Sequence, residues 1–276
     1  MTNPLILIIR GHYHGTADLP DLPHISRIFP DLLPALAGDT LVQVSTIDAL
    51  VQGIYDGGVT IDELKKSGDF GIGTLDDLDG EMLAMDGIFY QITSDGKVHI
   101  VPDKAETPFS AVSFFKPDLE IPLSSTPSLT VLQSQLDQKL PSANLFYAFR
   151  ITGVFSSISL RSVPKQAPPY PALTEVVKHQ ARFDLKNCRG TLIGFRCPTF
   201  VKGVNVPGYH FHFISDDRKS GGHLLECTLE SGTAQIDTLE NFKILLPRDP
   251  AFLKADFTHH DEQSVEAVEK LTNTPK

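Results

Sequence analysis

The chain has 276 residues, 41% of them hydrophobic and 21% charged, which suits a soluble globular protein with one large or two modest cores. A net charge of −10 argues against wide contact with a phosphate backbone, since such binding needs clustered Lys and Arg. The early apolar run at residues 5–9 is too short for a secretory core or a membrane span, and the three cysteines show no CxxC pairing. A reducing, cytoplasmic setting is therefore expected.

Residues 1–38 read as an N-terminal extension in which proline and aspartate interrupt periodicity, with a short helix at 25–36. His12 and His14 in this stretch stand at strand spacing but have no evident third partner for a metal. Order begins near Thr40. Residues 41–44 form a strand, and Ser45 caps a helix that places Ile47, Leu50, Val51 and Ile54 on one face and ends at Gly57-Gly58. Thr60-Ile61-Asp62-Glu63 is a capping box opening a second helix that stops at Gly68.

Residues 71–101 read as consecutive strands, with Ser94-Asp95-Gly96 as one of their turns. Asp76, Asp77 and Asp79 suit a solvated turn, and the spacing of an EF-hand calcium loop is not met. Glu81 differs, because it starts the alternating run 81–86, where an inward charge is costly unless it has a partner or a function. After a Pro-rich passage at 117–127, Leu129, Leu132, Leu136 and Leu140 mark a core-facing helix. A long β-prone run over 145–163 ends at Arg161, whose guanidinium is shaped to clamp a carboxylate with two parallel hydrogen bonds. Pro164-Lys165-Gln166-Ala167-Pro168-Pro169 then reads as a linker.

Beyond the linker come a helix at 172–180, strands near 190–195, a hairpin, and strands over 232–244. In the hairpin strand Tyr209-His210-Phe211-His212-Phe213, the two histidines share one face and the three aromatics the other. The turn 215–222 sets His212 opposite His223, so three imidazoles converge. Three protein ligands with a fourth position open is the catalytic form of a zinc site. Cys227 is read onto the face of His223, but roughly 13 Å along the strand is too far for one ion. Cys188, Cys197 and Cys227 are read as small buried residues. The tail 261–270 suits a short acidic helix with Glu262, Glu266 and Glu269. The expected fold class is α/β (α+β), a two-domain mixed β-sheet architecture: extension 1–38, first domain 39–165, and a second domain 166–276 that holds the zinc-binding hairpin and the tail.

Several strings carry a resemblance: Gly71-Ile72-Gly73-Thr74-Leu75, Leu78-Asp79-Gly80-Glu81, Asp86-Gly87, Phe89-Tyr90-Gln91 and Asn144-Leu145-Phe146-Tyr147-Ala148. So do Arg161-Ser162-Val163-Pro164-Lys165-Gln166, Gly208-Tyr209-His210-Phe211-His212-Phe213-Ile214-Ser215-Asp216 and Gly221-Gly222-His223. In these the chain resembles the α-acetolactate decarboxylases from about residue 40 to 253. The resemblance implies a homodimeric zinc enzyme that turns (S)-2-acetolactate into (R)-acetoin and CO2, with His210, His212 and His223 as metal ligands. It further implies Arg161 and Thr74 facing substrate, Glu81 beside the metal, and a tail glutamate returning to the pocket. Glu269 matches that role, with Glu266 as the alternative register. The rival readings are a cupin-like metal dioxygenase using Asp216 or Asp217, and a binding module with a structural metal, which would need a fourth protein ligand.

Overall fold

A computed structural model describes residues 39–258 and 260–269. The readings at 25–36, His12 and His14 lie outside the described residues. In chain order the strands are β1 (Thr40–Val44), β2 (Val59–Thr60), β3 (Phe70–Thr74), β4 (Glu81–Met85), β5 (Ile88–Ile92), β6 (Val98–Ile100), β7 (Glu106–Thr107), β8 (Ser110–Ser113), β9 (Leu119–Leu123), β10 (Phe146–Ser162), β11 (Ala181–Cys197), β12 (Gly208–Ser215), β13 (Gly221–Leu239) and β14 (Asn241–Leu245). The helices are α1 (Ile47–Val51), α2 (Ile61–Leu64), α3 (Leu129–Asp137), α4 (Leu173–Val176), α5 (Pro250–Lys254) and α6 (Glu262–Glu269). Among the described residues no helix is long and apolar enough to cross a membrane.

One seven-stranded sheet runs β14-β1-β8-β3-β4-β5-β6, with β1 and β14 parallel and the other neighbours antiparallel. The other runs β10-β11-β12-β13-β9 and is joined again between β10 and β13, so the long strands close on themselves. A mixed α+β, sheet-dominated fold results. The faces of the two sheets meet in one apolar layer, where Leu41, Phe70, Ile72 and Leu83 pack with Phe146, Ile193, Phe195 and Leu239. The interior of the second sheet is filled by Phe149, Phe155, Phe211 and Phe213, and α3 covers it with Leu132 and Leu136. Residue 165, expected as a boundary, falls between β10 and β11 of that sheet, while β14 returns from beyond it to pair with β1.

Local signals explain most element ends. Thr60 and Glu63 form the capping box of α2, with Thr60 Oγ1 accepting from the Glu63 amide at 3.2 Å and Glu63 Oε2 accepting from the Thr60 amide at 3.0 Å. The cap of α1 is Thr46 rather than Ser45: Thr46 Oγ1 accepts from the Ala49 amide at 3.2 Å. Ser45 is spent on the sheet, where its amide donates to Leu245 O at 2.9 Å and prolongs the β1–β14 pairing by one residue. The first helix stops at Val51, with Gln52 as its cap and Gly53 beyond it at a φ of +88°, short of the Gly57-Gly58 end expected from the sequence, while the second stops at Leu64, before Gly68.

Candidate active site

The hairpin of β12 and β13 pairs His212 directly with His223, as the turn composition predicts. His210 and His212 project from one face of β12, and Phe211 and Phe213 enter the core from the other. On β10 the residue opposite His223 is Arg161, which brings the guanidinium to the same end of the sheet. Cys227 is placed differently from the sequence reading. Leu225 is an extra residue in the β10–β13 ladder, so Leu224 and Cys227 both pack into the core with Leu160 and Ile158, and the alternation that begins at His223 is reversed beyond it. All three cysteines are free; Cys197 and Cys227 are buried and Cys188 is half-buried.

The first sheet brings its own pair. Thr74 ends β3 opposite Glu81 at the start of β4. Thr74 Oγ1 donates to Gly80 O at 2.7 Å and so closes the turn that delivers Glu81 to the site. From the tail, α6 inserts Glu269 while Glu266 stays on the exposed side. One pocket is lined by Thr74, Glu81, Arg161, the three histidines and Glu269, with apolar walls from Leu50, Leu78, Phe109, Val163 and Leu173. Those wall residues were not singled out in the sequence as site residues. Leu50 could be read as inward-facing from helix periodicity, but nothing in the chain tells which cavity that face meets. Asp216 and Asp217, the acids a cupin-like set would use, sit in the hairpin turn, where Asp216 meets Arg189 and Asp217 accepts from Ser215 Oγ.

The ligand nitrogens of His210, His212 and His223 all lie within 4.8 Å of one another. His212 Nδ1 donates to Met82 O at 2.8 Å, which leaves the Nε2 lone pair facing inward. His223 Nε2 donates to the main-chain carbonyl of Glu269 at 3.3 Å, which leaves Nδ1 facing His210 Nε2 at 3.1 Å. His210 Nε2 and His223 Nδ1 thus stand at hydrogen-bond distance, where a bound metal cation would replace the proton they share. Carboxylate oxygens flank the set: Glu81 Oε2 is 3.4 Å from His212 Nε2, and Glu269 Oε2 is 3.5 Å from His210 Nε2 and 3.9 Å from His223 Nε2. Arg161 Nη1 is 3.9 Å from Glu81 Oε1. Glu81 Oε1, Arg161 Nε and Glu269 Oε2 are buried without hydrogen-bond partners. Orphans of this kind mark groups directed at something that binds.

Burial sets the charge states. It pushes the Glu81 carboxyl up to about 7, opposed by Arg161 and reinforced by Glu269. It raises Glu269 as well, again against Arg161. It holds His210 down at about 3, and His212 and His223 well below the usual histidine range, with the Arg161 charge adding to each. Neutral imidazoles are the form in which histidine binds a metal.

Three neutral imidazoles, two carboxyls and a guanidinium around a small apolar-walled pocket define a candidate metal centre built for a small anion. A sequence model described as alpha-acetolactate decarboxylase matches residues 41–259. The alpha-acetolactate decarboxylase of Methanosarcina mazei is 46% identical over 246 residues, 89% of this chain and 85% of the relative. That of Brevibacillus brevis is 41% identical over 241 residues, 86% of this chain and 85% of the relative. The crystal structure of alpha-acetolactate decarboxylase from Bacillus subtilis strain 168 matches with a TM-score of 0.82 at 39% identity, covering 84% of this chain and 99% of that one. The chain belongs to the alpha-acetolactate decarboxylase family, and it is an enzyme of that carboxy-lyase class.

Proposed function

We propose that the protein converts (S)-2-acetolactate to (R)-acetoin and CO2 with a zinc ion held by His210, His212 and His223. The observation that carries this reading is the convergence of three neutral imidazoles, two buried and His210 nearly so, between Glu81, Glu269 and Arg161 in a chain of this family. Zinc bound there supplies a Lewis acid for the negative charge that gathers on the ketone oxygen as CO2 departs. Arg161, buried and with an unpartnered Nε, binds and orients the substrate carboxylate. Its grip serves orientation, since tighter ground-state binding of the leaving group would not speed its loss.

The proton count assigns the remaining groups. Loss of CO2 leaves an electron pair that must take one proton at carbon, and a buried carboxyl whose pKa burial has raised is suited to that task. Glu269 donates this proton from the tail side, while Glu81 faces His212 and Arg161 from the sheet side. Protonation from one fixed direction gives one enantiomer. Thr74 has committed its hydroxyl hydrogen to Gly80 O, so it meets the substrate hydroxyl as an acceptor. Leu50, Leu78, Phe109, Val163 and Leu173 receive the methyl groups and keep out water that would protonate either face.

The test is to load the purified protein with zinc, supply racemic acetolactate, and follow CO2 release together with chiral separation of acetoin. About one zinc per chain and (R)-acetoin are expected, and His223→Ala should lose both metal and turnover. Full zinc content in His223→Ala, or no CO2 from the loaded wild type, would sink the reading.

A further inference from the structure

Glu269 reaches the pocket because α6 lies where it does, yet the helix has little of its own to hold it there. Its described residues, Glu262–Glu269, bury Val265 and Val268, packed with Ile47 and Leu50 of α1 and with Leu173 and Val176 of α4, a narrow apolar contact for a surface helix. A second attachment lies just ahead of the helix. His260 Nδ1 is 2.8 Å from Asp48 Oδ1, and Asp48 is a buried acid in the first turn of α1.

The neighbouring loop is shaped around that acid. The Asp48 amide donates to Gly203 O at 3.4 Å, and the Ile47 amide to Val204 O at 3.0 Å. Gly203 has a φ of +81°, and a Cβ there would sit 2.9 Å from Asp48 Oδ2. The positive φ favours glycine there, and a side chain would also press on the Asp48 carboxylate. Lys202, on the same loop, meets Glu262 Oε1 at 2.6 Å, and Asp261 Oδ1 accepts from the Ser264 amide at 3.1 Å in the first turn of α6. One element, α1, therefore carries both an attachment for the tail at Asp48 and a wall of the pocket at Leu50.

The geometry points to Asp48 and His260 as positioning residues for the reaction: their hydrogen bond latches the tail to α1 and so sets the carboxyl of Glu269 against His210 and His223. This role rests on the reading of Glu269 as proton donor. Neither residue lines the pocket of the three histidines. Without the latch α6 docks for a fraction of the time, turnover falls with that fraction, and water protonates the intermediate from either side.

The experiment uses the full-length, zinc-loaded protein with His260→Ala, Asp48→Asn and Glu269→Gln. Hydrogen exchange at residues 262–269 is read beside kcat, KM and the enantiomeric purity of acetoin. In His260→Ala the tail amides should exchange faster, kcat should fall about tenfold with KM nearly unchanged, and the acetoin should lose enantiomeric purity. Asp48→Asn keeps an oxygen that accepts from Nδ1–H and should stay close to wild type. Unchanged tail exchange in His260→Ala overturns the latch, as does faster exchange with kcat and enantiomeric purity intact. Full turnover in Glu269→Gln overturns the proton-donor reading and with it the purpose of the latch; a dead Glu269→Gln beside a normal His260→Ala overturns the latch alone.

Discussion

Arg161 is 4% exposed and stands 3.9 Å from Glu81 Oε1, outside good hydrogen-bond range, with its Nε unpaired. A guanidinium taken out of water with its fork incompletely used is costly, and under the proposed function a substrate carboxylate would complete the pairing and recover that cost. Its charge also helps keep all three imidazoles neutral and works against burial at both carboxyls. Arg161→Lys preserves the charge but replaces a planar fork with a point donor. We expect zinc content to be retained and kcat/KM to fall about 10–100-fold, the loss of one or two charged hydrogen bonds. Steady-state kinetics beside metal analysis checks this, and an unchanged kcat/KM would remove Arg161 from carboxylate binding.

The site is assembled from element ends, and the two sheets contribute by different means. Period-two alternation made the common face of His210 and His212 legible in the sequence, and turn composition made the His212–His223 pairing legible, because both depend on residues near in the chain. The bulge at Leu225 was not legible, since it exists only against β10, more than 60 residues earlier. The cap of α1 moved from Ser45 to Thr46 for a similar reason, as pairing with the distant β14 claimed the serine backbone. Glu269 was singled out through the family resemblance alone, since the composition of its acidic helix suits solvent. Val265 and Val268 are its buried residues, and three-residue spacing of two valines is a faint signal. The turn before β4 offers a direct test of element-level control. Gly80 has a φ of +79°, and a Cβ there would lie 2.3 Å from Ile92 O, so Gly80→Ala must shift either the turn or β5. We expect a loss of about 1–3 kcal/mol in urea unfolding and a larger proportional loss of kcat, because Glu81 moves with the turn. Unfolding with an unchanged midpoint would show that the turn relaxes without cost.

At the scale of the molecule, the chain must cross from the first sheet to the second after β8, and Asp237 of β13 secures that crossing by accepting the Lys116 amide at 2.9 Å through Oδ2. The carboxyl is buried in an acidic protein, its Oδ1 has no partner, and Asp118 and Asp39 lie close enough to repel its charge. Burial first, and those neighbours after it, push its pKa up to about 6 from an ordinary 3.8. The folded state therefore binds this proton more tightly than the unfolded chain. Stability from the group is fully present below about pH 4 and is lost as the pH rises through about 6, since the native state must then ionise a carboxyl it holds poorly. Asp237→Asn keeps an oxygen for the Lys116 amide and removes the charge. Its melting midpoint should exceed that of wild type by about 2–4 °C at pH 7.5, and the difference should close as the pH is lowered toward 4. Calorimetry of both proteins across that range measures the crossing. A gain that persists undiminished at pH 4 would assign the effect to packing, and no gain at pH 7.5 would show that water reaches the carboxylate.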